Sequence, residues 1–230
     1  MSEIVNGDGF EVAPRLAEEA RANGLRPVLV TDPPFNIGYH YKTYRDRKPE
    51  AEYWRDIAAL VRQFDGAVIV HYPEALDRLS IELGEPPVRR VALVYPSNTK
   101  RQHRDAAFYG IAPDFGRVRR PYYNMKDKRC AELFKRTGGA KSWDWLECNM
   151  VKNCSKEKTA HPCQMPVEVM RLLVGILPDD CVVVDPFAGS GTTLVAADAL
   201  GVESHGVEID ESYCEIIRQR TAQAALGLEG

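Results

Sequence analysis

Cys181-Val182-Val183-Val184-Asp185-Pro186-Phe187-Ala188-Gly189-Ser190-Gly191-Thr192-Thr193 is the stretch whose reading decides the fold. Its apolar, β-branched opening predicts a short strand covered on both faces, and the glycines after it predict a tight turn into a helix. Glycines at such a turn bring backbone N–H groups close to a ligand at the helix N-terminus, which suits a nucleotide-type ligand. The stretch is not a phosphate-binding P-loop, since no Gly-Lys-Ser/Thr follows, and it lacks the third glycine of the dinucleotide pattern G-x-G-x-x-G. A tight turn without a ligand is the plainer reading of G-x-G alone.

The same alternation of strand and helix extends outward from this point. Apolar runs at Pro27 to Thr31, Gly66 to His71, Val91 to Tyr95 and His205 to Ile209 predict further buried strands. Tyr53, Trp54, Ile57, Leu60, Val61 and Phe64 recur at helical spacing, and helices are expected over residues 74–83, 166–177, 191–200 and from Glu211 on. Pro166 is placed in the first turn of its helix. The pattern implies right-handed βαβ units and a Rossmann-like α/β fold, with a mainly parallel sheet and helices on both faces, in a single domain spanning residues 1–230. From Pro96 to about Ala160 the alternation fails, and residues 97–160 read as a basic, aromatic insertion.

Composition agrees with one globular domain: 230 residues, 44% hydrophobic, 27% charged, formal net charge −3. No run approaches the roughly 18 apolar residues of a membrane span, so a soluble, cytoplasmic protein without membrane contact is expected. The six cysteines are spread without a secretory signal, which favours reduced thiols. The charge is unevenly placed. Residues 89–158 hold 17 Lys plus Arg against 7 Asp plus Glu, so a small net charge conceals a basic block. Such a block suits a phosphate-bearing partner, although a solvated charged face has the same composition.

Two further sites carry chemistry. Glu208 ends the strand after the glycine turn, where an acid can accept hydrogen bonds from two ribose hydroxyls; capping of the next helix suits Asp210 better. Asp32-Pro33-Pro34-Phe35 lies at the carboxyl end of another strand, the place where open α/β sheets hold their ligands. Two prolines supply no N–H and stiffen the chain, so the Asp32 carboxylate and the Pro33 carbonyl make adjacent acceptors for a planar amino group. The Phe35 ring can stack on the base carrying that group. As a bare tetrapeptide, Asp-Pro-Pro-Phe also reads as a turn that ends a strand.

Together these motifs resemble the β group of DNA amino-methyltransferases, which methylate exocyclic adenine N6 or cytosine N4 from S-adenosylmethionine. Asp32 to Phe35 matches the catalytic motif, residues 185–193 with 206–210 match the cofactor pair, and His161-Pro162-Cys163-Gln164-Met165-Pro166 looks like the HPTQKP element. Gly7-Asp8 resembles the Gly-Asp that precedes the catalytic motif. Their order, catalytic before cofactor with a variable basic region between, is that group's permuted arrangement. Cys163 and Met165 stand where threonine and lysine are usual, and Phe35 where tyrosine is commoner.

The resemblance implies a class I methyltransferase sheet and adenine-N6 methylation of a base flipped out of double-stranded DNA. Cytosine N4 is the alternative, because Asp32 favours adenine in a family whose cytosine members more often carry serine there. Catalysis falls to Asp32, Pro33, Pro34 and Phe35. Cofactor binding falls to Asp8, His161, Gln164, Asp185, Phe187, Gly189, Ser190, Gly191, Thr192 and Glu208, with no metal. Target recognition falls to the insertion, where Lys100, Arg101, Arg104, Arg117, Arg119, Arg120, Lys126, Lys128 and Arg129 are expected on phosphates and Tyr122, Tyr123 or Trp143 as stacking groups. A homodimer and a separate restriction endonuclease are partners the resemblance allows, in a restriction–modification system or for an orphan enzyme.

Other readings compete. Pro162-Cys163-Gln164 looks like the nucleophile segment of cytosine-C5 enzymes, but there the cysteine follows the cofactor motif. Cys148, Cys154, His161 and Cys163 lack paired zinc-ligand spacing. His40, His71, His103 and His205 read as ordinary surface or strand-end histidines. An RNA or protein methyltransferase shares the Asp-Pro-Pro-Phe physics in the opposite motif order, and an inactive nucleic-acid-binding relative has no use for the Asp32 acceptor.

Overall fold

The structure, a computed structural model, describes residues 2–39, 46–96, 101–122, 124–151, 155 and 157–225. Lys100, Tyr123, His40 and Cys154 lie outside the described residues. Among those described, ten strands and seven helices follow in the order β1 (Glu3–Asn6), α1 (Gly9–Ala22), β2 (Arg26–Thr31), α2 (Glu50–Val61), β3 (Gly66–His71), α3 (Pro73–Leu83), β4 (Arg89–Val94), β5 (His103–Tyr109), β6 (Arg119–Arg120), α4 (Lys128–Thr137), β7 (Ala140–Lys141), β8 (Trp145–Glu147), α5 (Val167–Gly175), β9 (Cys181–Asp185), α6 (Thr192–Leu200), β10 (Ser204–Glu208) and α7 (Glu211–Ala225). No helix among the described residues is long and apolar enough to cross a membrane.

Eight strands form one sheet in the order β1-β10-β9-β2-β3-β5-β4-β8, parallel throughout except for β5, which runs antiparallel to both its neighbours. Val28, Val30, Val68, Val70 and Val183 point to one face, where Val169, Met170, Leu173, Ala196 and Ala197 of α5 and α6 cover them. Leu29, Ile69 and Val184 point to the other, against Ala13, Leu16, Ile57, Leu76 and Leu79 of α1, α2 and α3. Burial on both faces explains why these strands are apolar at every position rather than at alternate ones. The chain is thus a three-layer α/β/α fold of the expected class.

The expected insertion is smaller than residues 97–160. β5 lies between β3 and β4 in the main sheet, and β8 extends its edge beside β4. β5 begins polar at His103, Arg104 and Asp105 and buries only its last four residues, so its apolar signal is too short to announce a strand. What stands apart is the β6–β7 pair with α4, a helix with no buried residue. Pro166 is also one position earlier than expected, as the N-cap of α5.

The sheet order reverses between β2 and β9. Successive elements leave in opposite directions from this pair, opening a crevice at the carboxyl ends of its strands. Asp32 follows β2 directly and Asp185 ends β9, so the two decisive stretches of sequence meet there.

Candidate active site

The crevice is a cavity of about 340 Å³ lined from both sides. Asp32 to Phe35 and Arg104 line one end; Phe187 to Ser190, Thr192 and Glu208 line the other, with Asp8, His161 and Asp185 also on its wall. Gln164 does not line it. The Gln164 side chain accepts from Thr159 N at 2.9 Å and donates to Glu157 O at 2.6 Å, so its amide closes the loop before α5.

At the cofactor-motif end, Gly189 (φ 55°) and Gly191 (φ 77°) take left-handed backbone that side chains disfavour. A Cβ on Gly189 would lie 3.0 Å from His161 Nε2, and one on Gly191 would lie 2.8 Å from the Ile217 side chain. Glu208 accepts from Gly189 N at 2.9 Å and Asp210 N at 2.8 Å, which fixes its carboxylate against the turn while leaving acceptor capacity. Burial holds this carboxyl above its ordinary range despite those bonds. Asp210 caps its neighbour, accepting from Ser212 N at 2.8 Å. His161 is buried, with Tyr213 edge-on to its ring, and burial followed by the nearby Lys158 charge lowers it to about 4, so the imidazole is neutral at pH 7. Asp8 is the N-cap of α1, accepting from Phe10 N at 2.8 Å. Cys163 is exposed and Met165 buried, and both line the cavity.

At the other end, Asp32 Oδ1 is buried and has no hydrogen-bond partner among the described residues. Its Oδ2 lies 3.4 Å from Arg104 Nη1. Burial pushes the Asp32 carboxyl up to about 6, Arg104 pulls against that, and Asp185 adds to it. Tyr53 Oη donates to Pro34 O at 2.6 Å, so this carbonyl is already engaged. Phe35 stacks on His71 with ring centroids 4.1 Å apart and meets Tyr72 edge-on at 5.2 Å.

Two further residues depart from the sequence reading. His71 is no ordinary strand-end histidine: it is 3% exposed, packs against Phe35 and Trp54, and accepts from Tyr72 N through Nδ1. Burial, aided by the Arg104 and Arg101 charges, depresses it to about 3. Arg104 does not stand on an outer face for phosphates. It reaches into the cavity beside Asp32, where strand β5 delivers it from 72 residues away in sequence.

The remaining basic candidates lie elsewhere on the surface. Arg119, Lys126 and Lys128 are exposed around β6 and α4, while exposed Arg129 pairs with Asp127, Arg101 with Glu74, Arg117 with Asp179 and Arg120 with Glu168. Trp143 stacks on Trp145, both partly exposed. Among the described residues no group of three His, Cys, Asp or Glu side chains is placed to hold a metal.

Comparison with known proteins bears on this geometry. The N6/N4 methyltransferase family model, described as DNA methylase, matches residues 94–219, more than half of the chain, including the glycine turn and Glu208. A segment of 78 residues, 34% of this chain and 26% of the relative, is 44% identical to the type II methyltransferase M.ScaI of Streptomyces caespitosus. The type II methyltransferase M.BglII of Bacillus subtilis is 26% identical over 95% of this chain and 68% of its own length. Matched segments thus span between a quarter and about two thirds of these relatives. Among solved structures, the complex of TTHA0409 from Thermus thermophilus with S-adenosyl-L-methionine superposes at TM-score 0.62 with 18% identity, over 99% of this chain and 97% of that one. PvuII DNA methyltransferase, described as cytosine-N4-specific, superposes at 0.61 with 16% identity, over 98% and 93%. The chain belongs to the N6/N4 DNA methylase family.

Proposed function

We propose that the chain methylates the exocyclic amino group of a base flipped out of double-stranded DNA, with S-adenosylmethionine as donor and adenine N6 as the favoured acceptor. The observation that carries this reading is Asp32 Oδ1, a buried acceptor without a partner among the described residues, beside an aromatic ring and in one cavity with the Glu208 carboxylate.

The residues present fit the cofactor. The turn at Gly189 and Gly191 is a cradle that added side chains would fill, and Glu208 lines it as a buried carboxylate able to accept from ribose hydroxyls. Neutral His161 packs against the cradle at Gly189 and adds no positive charge to it. When bound, S-adenosylmethionine supplies an electrophilic methyl group.

This chain's own residues then act on the base. Asp32 Oδ1 accepts from the amino group, and with the Pro34 carbonyl held by Tyr53, the Pro33 carbonyl is the second acceptor. Acceptors fixed where positive charge develops stabilise the transition state, and alignment of nitrogen with methyl supplies the rest. Phe35 offers a stacking face, and extrusion of the base from the duplex costs roughly a few kcal/mol. Adenine is favoured because aspartate rather than serine opens the Pro-Pro-Phe motif. A cytoplasmic site of action goes with this reading.

The test is methyl transfer from labelled S-adenosylmethionine to unmethylated DNA by wild type and Asp32→Ala, with digestion to nucleosides. Label in N6-methyladenine that vanishes in the variant is expected. Label in N4-methylcytosine changes the base and keeps the mechanism, and no label in DNA overturns the proposal.

A further inference from the structure

We propose that Arg104 is a resident surrogate for the target base, seated on Asp32 and Phe35 until the flipped base displaces it; this rests on the base-methylating reading above. A guanidinium is flat and carries N–H donors along its edge, as an aminated base does. Arg104 covers the Phe35 ring that reading assigns to the base, and it engages the second oxygen of the Asp32 carboxylate beside the unpartnered Oδ1. Its Nη1 faces Asp32 Oδ2 at 3.4 Å, and its Cζ lies 4.6 Å from the centre of the Phe35 ring. A base cannot stack on Phe35 where the guanidinium covers it.

The held state is poised rather than locked. The ring centres of Tyr72 and Tyr95 lie 5.7 and 5.9 Å from Cζ, so the cation sits in an aromatic surround. Against that, its contact to Asp32 is longer than a good charge-assisted bond, and its buried Nε has no partner among the described residues. A buried cation so incompletely satisfied is weakly held, and a ligand that gives Asp32 shorter bonds can replace it. In the base-free protein the same contact keeps a desolvated carboxylate from facing an empty pocket alone.

The charged and titratable groups around Asp32 and its neighbours Phe35 and Arg104 come from several elements. Arg104 of β5, Asp185 of β9 and Tyr95 after β4 act on it directly, while His71 of β3 packs on Phe35 and Tyr72, before α3, on Phe35 and Arg104. His71 stays neutral across the working range and Asp185 is common to all variants. Removing the Arg104 charge therefore raises Asp32 further above its value of about 6.

The experiment is initial-rate kinetics of methyl transfer to DNA over pH 5 to 9 for wild type, Arg104→Gln and Arg104→Lys, each first shown to be folded by circular dichroism. The pH profile of kcat/KM reports the free enzyme and that of kcat the complex. In Arg104→Gln the acidic limb of kcat/KM moves up by about one unit or more. The limb of kcat stays in place, since the guanidinium has left Asp32 once the base is seated. Above the limb, KM for DNA falls in Arg104→Gln because a competitor has gone. Arg104→Lys keeps the limb and lowers KM, its charge being retained and its planarity lost; should the glutamine variant not fold, this one carries the test. Equal movement of both limbs, an unmoved kcat/KM limb in Arg104→Gln, or a raised KM in either variant overturns the surrogate role while leaving the enzyme an active methyltransferase. A wild type that methylates no base at any pH overturns the functional reading itself.

Discussion

Thr31 Oγ1 donates to Asp185 Oδ1 at 2.7 Å, joining the last residue of β2 to the last residue of β9. The next residue along each strand opens one of the two stretches that line the cavity, Asp32 in Asp-Pro-Pro-Phe and Pro186 before the glycine turn. Thr193 Oγ1 donates to the other oxygen at 2.6 Å, and Phe187 N to Oδ1 at 3.1 Å. Asp185 is thus spent on the protein: it registers the two halves of the site against each other.

Thr31→Val keeps the shape and removes one donor to a buried carboxylate. The cost expected is about 1 to 3 kcal/mol, because the acceptor loses a partner where water cannot replace it. For a chain of this size that is a fall in Tm of roughly 2 to 4 °C per kcal/mol. Urea unfolding monitored by circular dichroism checks it: the midpoint falls with the slope unchanged. An unaltered midpoint would show that Asp185 is held well enough by Thr193 and Phe187.

Burial of Asp32 costs stability with a definite pH signature. Its folded-state value of about 6 lies above the ordinary 3.8, so its contribution to folding is fully present below 3.8 and is lost as pH rises through about 6. Relative to Asp32→Asn, which does not titrate, wild type should lose roughly 3 kcal/mol across that window, at about 1.4 kcal/mol for each pH unit that separates the folded from the unfolded value. Groups common to both proteins cancel in the difference. Unfolding free energies measured at pH 4 and pH 7 decide it, and parallel pH profiles would mean that Asp32 is hydrated.

Much of this arrangement was legible in the sequence, and the omissions have physical causes. Strands β2, β3 and β9 declare themselves because burial on both faces makes them continuous apolar runs, and the motifs that follow β2 and β9 are local in sequence. The sequence reading assigns no element before Pro27. β1 is a four-residue edge strand, and α1 buries Ala13, Ala17 and Ala20 around a proline, so neither carries a strong apolar rhythm. β5 hides behind a polar start. With β5 unrecognised, Arg104 is merely one cation in a basic block; only the register that sets Asp105 opposite His71 and Arg104 opposite Leu93 brings it to Asp32. Tyr53 and His71 were open to the same error, since helical spacing and a strand end account for each without any reference to the site.

Gly189→Ala tests the cofactor cradle. An added Cβ meets left-handed backbone, costing roughly 1 to 2 kcal/mol, and also the His161 imidazole at 3.0 Å. Together they should weaken S-adenosylmethionine binding at least about tenfold by calorimetry, since 1.4 kcal/mol corresponds to a factor of ten. Gly189→Ala with His161→Ala should recover only the steric part. Unchanged affinity in the single variant would remove the turn from the binding site.

The exposed cations around β6 and α4 give the last prediction, and their pairing sorts them. Arg117 is tied to Asp179 and Arg120 to Glu168, so part of their charge is already answered within the protein. Lys126 and Lys128 flank the Asp127 cap at the exposed start of α4, where Asp127 accepts from Arg129 N at 2.8 Å. If this face meets DNA, each phosphate contact releases counterions, and affinity falls linearly with salt on logarithmic axes. Lys126→Ala and Lys128→Ala should each lower that slope by about 1, whereas Arg117→Ala should leave it nearly unchanged. Fluorescence anisotropy of labelled duplex DNA between about 50 and 200 mM salt makes the comparison. A flat response in wild type, or an equal loss for all three variants, would place the duplex on another face of the protein.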